Sequence, residues 1–178
     1  MADERLDAWL THPAIRMEHR RTARASPDAL WEAASRVRLR DTRSLGRVVR
    51  WRIPGLDPTL SYHDLFRGEP FCVLEESDRL LVSGLVGRIW TVARDYPHLD
   101  GPEAFAAWHR RGTARVLFAH WVEPAGGGRS ALVSETRVDV VDRQARLGLH
   151  LVRPLIATFE PLIGSEALAL AARRAERA

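Results

Sequence analysis

The sequence predicts an α+β domain on three observations: a helix start with capping signals near residue 26, two apolar hairpins in mid-chain, and a leucine-rich helical tail. In chain order, residues 3–11 suit a short helix, which Pro13 ends before an extended segment from Arg16 to Ala25. Ser26-Pro27-Asp28 opens the next helix. The serine oxygen caps free backbone N–H groups, proline suits the first turn, and the carboxylate complements the positive end of the helix dipole. That helix is predicted to reach Ser35. Beyond it, arginines at 36, 40, 43, 47 and 50 keep spacings of four and three, which would line one face of a further helix. Pro54-Gly55 and Pro58 make a connector, and Ser61 with Asp64 has capping-box spacing ahead of a single helical turn.

Sheet follows. Phe71 to Glu76 and Arg79 to Trp90 read as a hairpin joined at Ser77-Asp78; no strand is assigned between the early helices and Phe71. A helix from Pro102 to Arg110 is expected to end at Gly112. Thr113 to Glu123 and Arg129 to Val141 form the second hairpin, with Pro124 to Gly128 between them. The triple glycine there is a turn, because no strand-loop-helix unit surrounds it as a nucleotide loop requires. From Asp142 to Ala178 the chain is helical in composition, through Leu147, Leu151, Leu155, Phe159, Leu162, Leu168 and Leu170, and Pro154 and Pro161 are expected to kink or split that helix.

At 178 residues, 46% hydrophobic and 28% charged, the chain has the make-up of one soluble domain with core enough to enclose a cavity. Cys72 is the single cysteine, which removes disulfide scaffolds and Cys-rich metal sites and fits a reducing cytoplasm. Its first eleven residues lack the basic start and apolar run of a leader, and the apolar stretch from Leu147 to Ile163 carries Arg153 and Glu160, so no membrane span is expected. All 27 basic residues are arginine. A Walker A loop and Schiff-base catalysis both need lysine, so both are excluded. Lysine-free usage also suggests a GC-rich bacterial genome. The net charge of +4 is uneven. Residues 1–15 hold one Arg against three acids, residues 16–52 eleven against four, and the remainder fifteen against sixteen. The basic middle reads as a solvated face or as an Arg-rich interaction module for an anionic partner. No nucleic-acid motif accompanies it, and no nucleic-acid partner is expected.

The entry Ser26-Pro27-Asp28-Ala29-Leu30-Trp31, the run Leu85-Val86-Gly87-Arg88-Ile89-Trp90, and Ser134-Glu135-Thr136-Arg137-Val138 ahead of a long last helix resemble the START-like superfamily, also called SRPBCC. That superfamily contains lipid-transport domains and polyketide cyclases, aromatases and dehydratases. The resemblance covers Arg16 to Ala178, so residues 1–15 are read as a helical extension and 16–178 as a single START-like domain. It implies a helix-grip fold, in which a curved antiparallel sheet wraps around the C-terminal helix and leaves an apolar cavity between them.

Alternation assigns strand faces independently of the resemblance. Ala114, Val116, Phe118, His120 and Val122 share the inward face of one strand; Leu132, Ser134, Thr136, Val138 and Val140 share that of the next. If the strands pair, His120, Ser134 and Thr136 become polar groups on an apolar wall. They either orient a ligand or are satisfied by neighbouring backbone. Glu135 and Arg137, two apart on the other face, read as a surface ion pair of small energetic value. The candidate ligand-binding set is Trp90, Val116, Phe118, His120, Ser134, Thr136, His150, Leu151, Leu155 and Phe159. Trp31, Trp51, Trp108 and Trp121, like Trp90, are read as core or cavity wall. The expected function is non-catalytic binding or transport of a small apolar or amphipathic molecule in an internal cavity. The alternative is a cyclase, aromatase or dehydratase in which His120 or His63 serves as acid or base. The seven histidines have no metal-site spacing, so neither a metal nor a cofactor is expected.

Overall fold

Side-chain hydrogen bonds to the backbone set where the helices begin and stop. The computed structural model describes residues 2–53, 55–91 and 95–177, with side chains except at residues 2, 3, 52 and 152–164. Helix α1 (Ala2–Trp9) is followed by strand β1 (Ile15–Ala23) and helix α2 (Pro27–Ser35), whose cap Ser26 Oγ accepts from Ala29 N at 3.2 Å. Arg36 ends α2. A 3-10 turn (Leu39–Asp41) and helix α3 (Ser44–Arg52) then replace the expected continuous helix. The break is local in origin. Thr42 Oγ1 donates to Leu39 O (2.7 Å) and accepts from Gly46 N (2.9 Å), and Asp41 accepts from Arg38 N (3.1 Å), so these side chains outcompete the helical ladder. The arginines at 36, 40, 43, 47 and 50 are therefore spread over a cap, a turn and α3 and do not line one face of a single helix.

Helix α4 (Tyr62–Leu65) is the predicted single turn, capped by Ser61 Oγ, which accepts from Asp64 N at 3.0 Å. Strands β2 (Cys72–Ser77) and β3 (Leu80–Gly87) form the first hairpin. β3 stops short of the predicted Trp90: at Gly87, with φ of +137°, a Cβ would meet Asp95 O at 2.0 Å, and Arg88 N donates to that same carbonyl. Helix α5 (Pro102–Ala106) is also shorter than expected. Strands β4 (Ala114–Gly126) and β5 (Arg129–Val140) form the second hairpin, and Gly126, Gly127 and Gly128 all adopt positive φ at its turn. Helix α6 (Arg143–Ala175) starts at Asp142, whose carboxylate accepts from Ala145 N and Gly112 N. It runs as one helix through Pro154 and Pro161, so of the two expected outcomes, a kink or a split, the split does not occur.

The five strands make one open, curved antiparallel sheet in the order β1-β5-β4-β3-β2, with a register shift in β2 between Val73 and Glu75. Its inner face buries Ala23, Leu81, Val122 and Leu132 against α2 and the Ala167–Ala175 end of α6, while Leu85, Val116 and Val138 enclose Leu149 near the start of α6. This is the helix-grip arrangement of an α+β fold. The C-terminal half of α6 is secured twice. Glu166 accepts from Arg43 N, Ser44 N and Leu45 N (2.5 to 3.0 Å), occupying the free N–H groups of α3. Arg174 holds Arg36 O and Asp41.

The outer face is buried too, which the alternation did not anticipate. Leu6 and Leu10, four residues apart, bring the N-terminal segment onto Leu117, Ala119, Trp121, Ala131 and Val133, while Phe105 covers β3. Glu135 and Arg137 are accordingly not a surface pair. Each side chain exposes 1% of its area, Arg137 Nε donates to Glu135 Oε1 at 2.6 Å, and Arg137 also reaches Asp7 and Leu10 O, while Arg16 closes on Glu135. No described helix is long and apolar enough to cross a membrane.

Candidate ligand-binding site

β-pairing brings His120 to the centre of the inner face, directly opposite Ser134 on β5 and Leu81 on β3; one step along, Phe118 stands opposite Thr136 and Ser83. The next residue inward comes from α4. Tyr62 N donates to Val37 O (2.7 Å), which ties the turn to the end of α2, and Tyr62, Leu65 and Phe66 are buried around it. His63 is carried in with them. Although it sits in a capped turn, where a histidine usually meets water, it exposes only 1% of its area.

The two histidines named as candidate acid–base residues therefore come together, with ring centroids 6.0 Å apart. Around them stand Trp31, tilted against His63 at 4.3 Å; Tyr62, edge-on to His120 at 4.9 Å; and Phe66, 4.6 Å from His120. Phe66 continues the aromatic wall to Phe71 and Phe118. Polar partners are few. Tyr62 Oη lies 3.5 Å from His120 Nδ1. His63 Nδ1 and Nε2, His120 Nε2 and Ser83 Oγ are buried with no hydrogen-bond partner. Leaving such a group unpaired costs about 1–3 kcal/mol, so a cluster of four is unusual in a folded core.

All three titratable groups are held neutral. Burial takes the His63 imidazole from the ordinary 6.5 down to about 4, with nearby Arg67 deepening the depression and Asp64 and Glu76 opposing it. Burial also drives His120 well below 6.5, and neighbouring His63 adds to the effect. The same desolvation pushes the Tyr62 phenol up to about 12, with the Ser134 hydroxyl opposing the shift. No group of three or more described His, Cys, Asp or Glu side chains could hold a metal ion.

The other candidates are distributed as follows. Val116 is buried beside Leu149; Phe118 and Thr136 are half-buried on the wall; Ser134 is buried. Trp90 packs on α6 so closely that a Cβ at Gly148 would meet its ring at 2.6 Å. His150 is exposed, and Leu151 exposes 77% of its surface, so neither belongs to this cluster. Leu155 and Phe159 lie outside the described side chains. Sequence reading passed over Tyr62, Phe66 and Ser83 and took Trp31 as ordinary wall. For α4 a signal existed, since Tyr62, Leu65 and Phe66 place three large apolar groups around His63. For Ser83 there was none, because β3 is buried on both faces and shows no alternation. Two open surface grooves, about 400 Å³ beside Trp9, Arg115 and Asp139 and about 480 Å³ beside Arg38, Asp57 and Ser61, have no residue of this cluster in their lining, although the second is flanked by Ser61 and Asp64 of the α4 turn.

No protein-family model matches the chain, and no curated protein matches it either. Solved structures similar to it include a Helicobacter pylori hypothetical protein (8% identity, covering 95% of this chain and 93% of that one, TM-score 0.40), a Thermus thermophilus protein (12%, 90% and 97%, 0.36), and the Zhui aromatase/cyclase of Streptomyces sp. R1128 (16%, 90% and 94%, 0.36). At these scores they are distant likenesses of fold, and the architecture rests on the strand order and the placement of α6.

Proposed function

We propose that this chain binds a small, mainly apolar or amphipathic molecule against the inner face of its sheet, with His63, His120, Tyr62, Ser83 and Ser134 meeting the molecule's polar atoms. The observation that carries this reading is the group of four unpartnered polar atoms set in an aromatic wall. A ligand oxygen that pairs with them removes a desolvation cost already incurred by the fold. Apolar contact contributes the rest: covering roughly 300 Å² of ligand surface gives about 7 kcal/mol before the costs of ordering. The ring nitrogens are fully enclosed, so such a molecule moves packed rings aside as it binds.

Catalysis is the second reading and has weaker support. A general base works best with a pKa near the working pH, and a His63 imidazole near 4 is a poor one at neutrality. Those neutral rings suit hydrogen bonding better than proton transfer. An Arg-rich interaction module loses its main support, because the arginines share no single helical face. Native mass spectrometry of the purified chain tests the binding reading. A bound small molecule that is released on denaturation, together with altered Trp31 emission when an organic extract is added back, is the expected result. A ligand-free mass and unaltered emission across such extracts would count against it.

A further inference from the structure

We infer that the polar group recognised at the His63–His120 cluster is an uncharged oxygen, such as a hydroxyl, phenol or ketone, rather than a carboxylate or phosphate; this rests on the binding reading above. The buried charges are segregated. Among the described residues, the only buried side chains with a formal charge are Glu135 and Arg137, and both belong to the outer face, paired to each other. Among the described residues, the buried polar groups of the inner face are His63, His120, Ser83, Ser130, which bonds Ala25 O, and Ser134, alongside Tyr62, and all are neutral.

The charges nearest His63 do not compensate an anion. Arg67 is already engaged by Asp64 at 2.9 Å and Glu76 at 2.6 Å, and all three side chains are at least partly exposed. An anion placed against the rings would be desolvated without a free cation, which costs several kcal/mol. Taking up a proton on a histidine could offset this, yet desolvation opposes that step at both rings. Hydrogen-bond chemistry points the same way. A neutral imidazole carries one donor and one acceptor, and both nitrogens of His63 are unpartnered. A hydroxyl can both donate and accept, and a ketone oxygen can accept from the N–H. A carboxylate, like a ketone, only accepts, and it brings the uncompensated charge as well.

Equilibrium dialysis of the full chain at neutral pH with naphthalene, 2-naphthol and 2-naphthoate tests this. The probes share one apolar body and differ in the polar group. The expected order is 2-naphthol first, naphthalene several-fold weaker, and 2-naphthoate weaker than 2-naphthol by about tenfold or more. In His63→Phe and His120→Phe the naphthol advantage should shrink toward the naphthalene value while naphthalene binding persists. Naphthoate binding as tightly as naphthol would overturn the inference, as would a naphthol preference that survives both substitutions. Naphthalene binding equal to naphthol in the wild-type chain would remove the inference and leave the binding reading standing. No binding of any probe would remove both.

Discussion

The two faces of this sheet treat buried polarity in opposite ways, and β5 displays both in consecutive residues. Glu135 and Arg137 point outward, Ser134 and Thr136 inward. On the outer face the charges form a closed set. Arg137 is met by Glu135, Asp7 and Leu10 O, and Glu135 is met in turn by Arg16 at 2.8 Å. On the inner face no buried side chain among the described residues carries a fixed charge, yet ring nitrogens and a hydroxyl have no partner. Groups that would be ruinous to bury alone are fully paired, whereas groups that are only expensive are left unmet. That difference separates polarity that builds the fold from polarity available to something outside it.

Removing Arg137 should give the largest effect. Arg137→Ala leaves buried Glu135 with Arg16 as its remaining partner among the described residues and α1 without its anchor, and is expected to cost about 3–5 kcal/mol in urea denaturation. His120→Phe, which removes an incompletely paired ring, should change stability by less than about 1 kcal/mol in either direction. Equal costs for the two would erase the contrast between the faces. Acid titration of stability comes next. His63 has a folded pKa of about 4 against 6.5 when unfolded, so the unfolded chain binds the extra proton first. Its contribution is fully present above pH 6.5 and is lost as the pH falls toward 4, up to about 3 kcal/mol. His120, shifted in the same direction, adds to that loss. Denaturation midpoints between pH 7 and 4 should be nearly level in the His63→Phe, His120→Phe double variant, and an unaltered slope there would show the rings are not buried neutral. The smallest effect is expected at Glu166. Burial alone would raise its carboxyl, but the backbone donors of Arg43, Leu45 and Ser44 hold it below the usual value, so its contribution is lost only on further acidification. Glu166→Ala should cost about 1–2 kcal/mol and loosen the start of α3 in hydrogen exchange. Unchanged protection of Ser44 and Leu45 would mean that another group caps the helix.

Much of this architecture could be read along the chain because its signals are local. Ser26 and Ser61 cap the helices they announce, and the strand alternation puts His120, Ser134 and Thr136 on one face, as the pairing of β4 with β5 has them. What escaped is what distant segments do to each other. Glu135 and Arg137 look solvated until Asp7, well over a hundred residues away, docks against them. His63 looks exposed until α4 folds onto α2 and β4. The arginine stripe looked continuous because its spacing is helical, while Thr42 and Asp41 quietly supplied the bonds that interrupt it. Charge and capping chemistry speak for themselves over four residues; burial is decided by partners the local pattern cannot see.

An open sheet has two unpaired rims, and each could in principle accept a strand from another copy of the chain. Here β1 lines one rim with Arg16, Glu18, Arg20 and Arg21, all exposed, and β2 breaks the other with its slip between Val73 and Glu75. Neighbouring molecules thus meet either repulsion or a ladder that fails to align, and resistance to fibrous aggregation is written at the borders of the sheet.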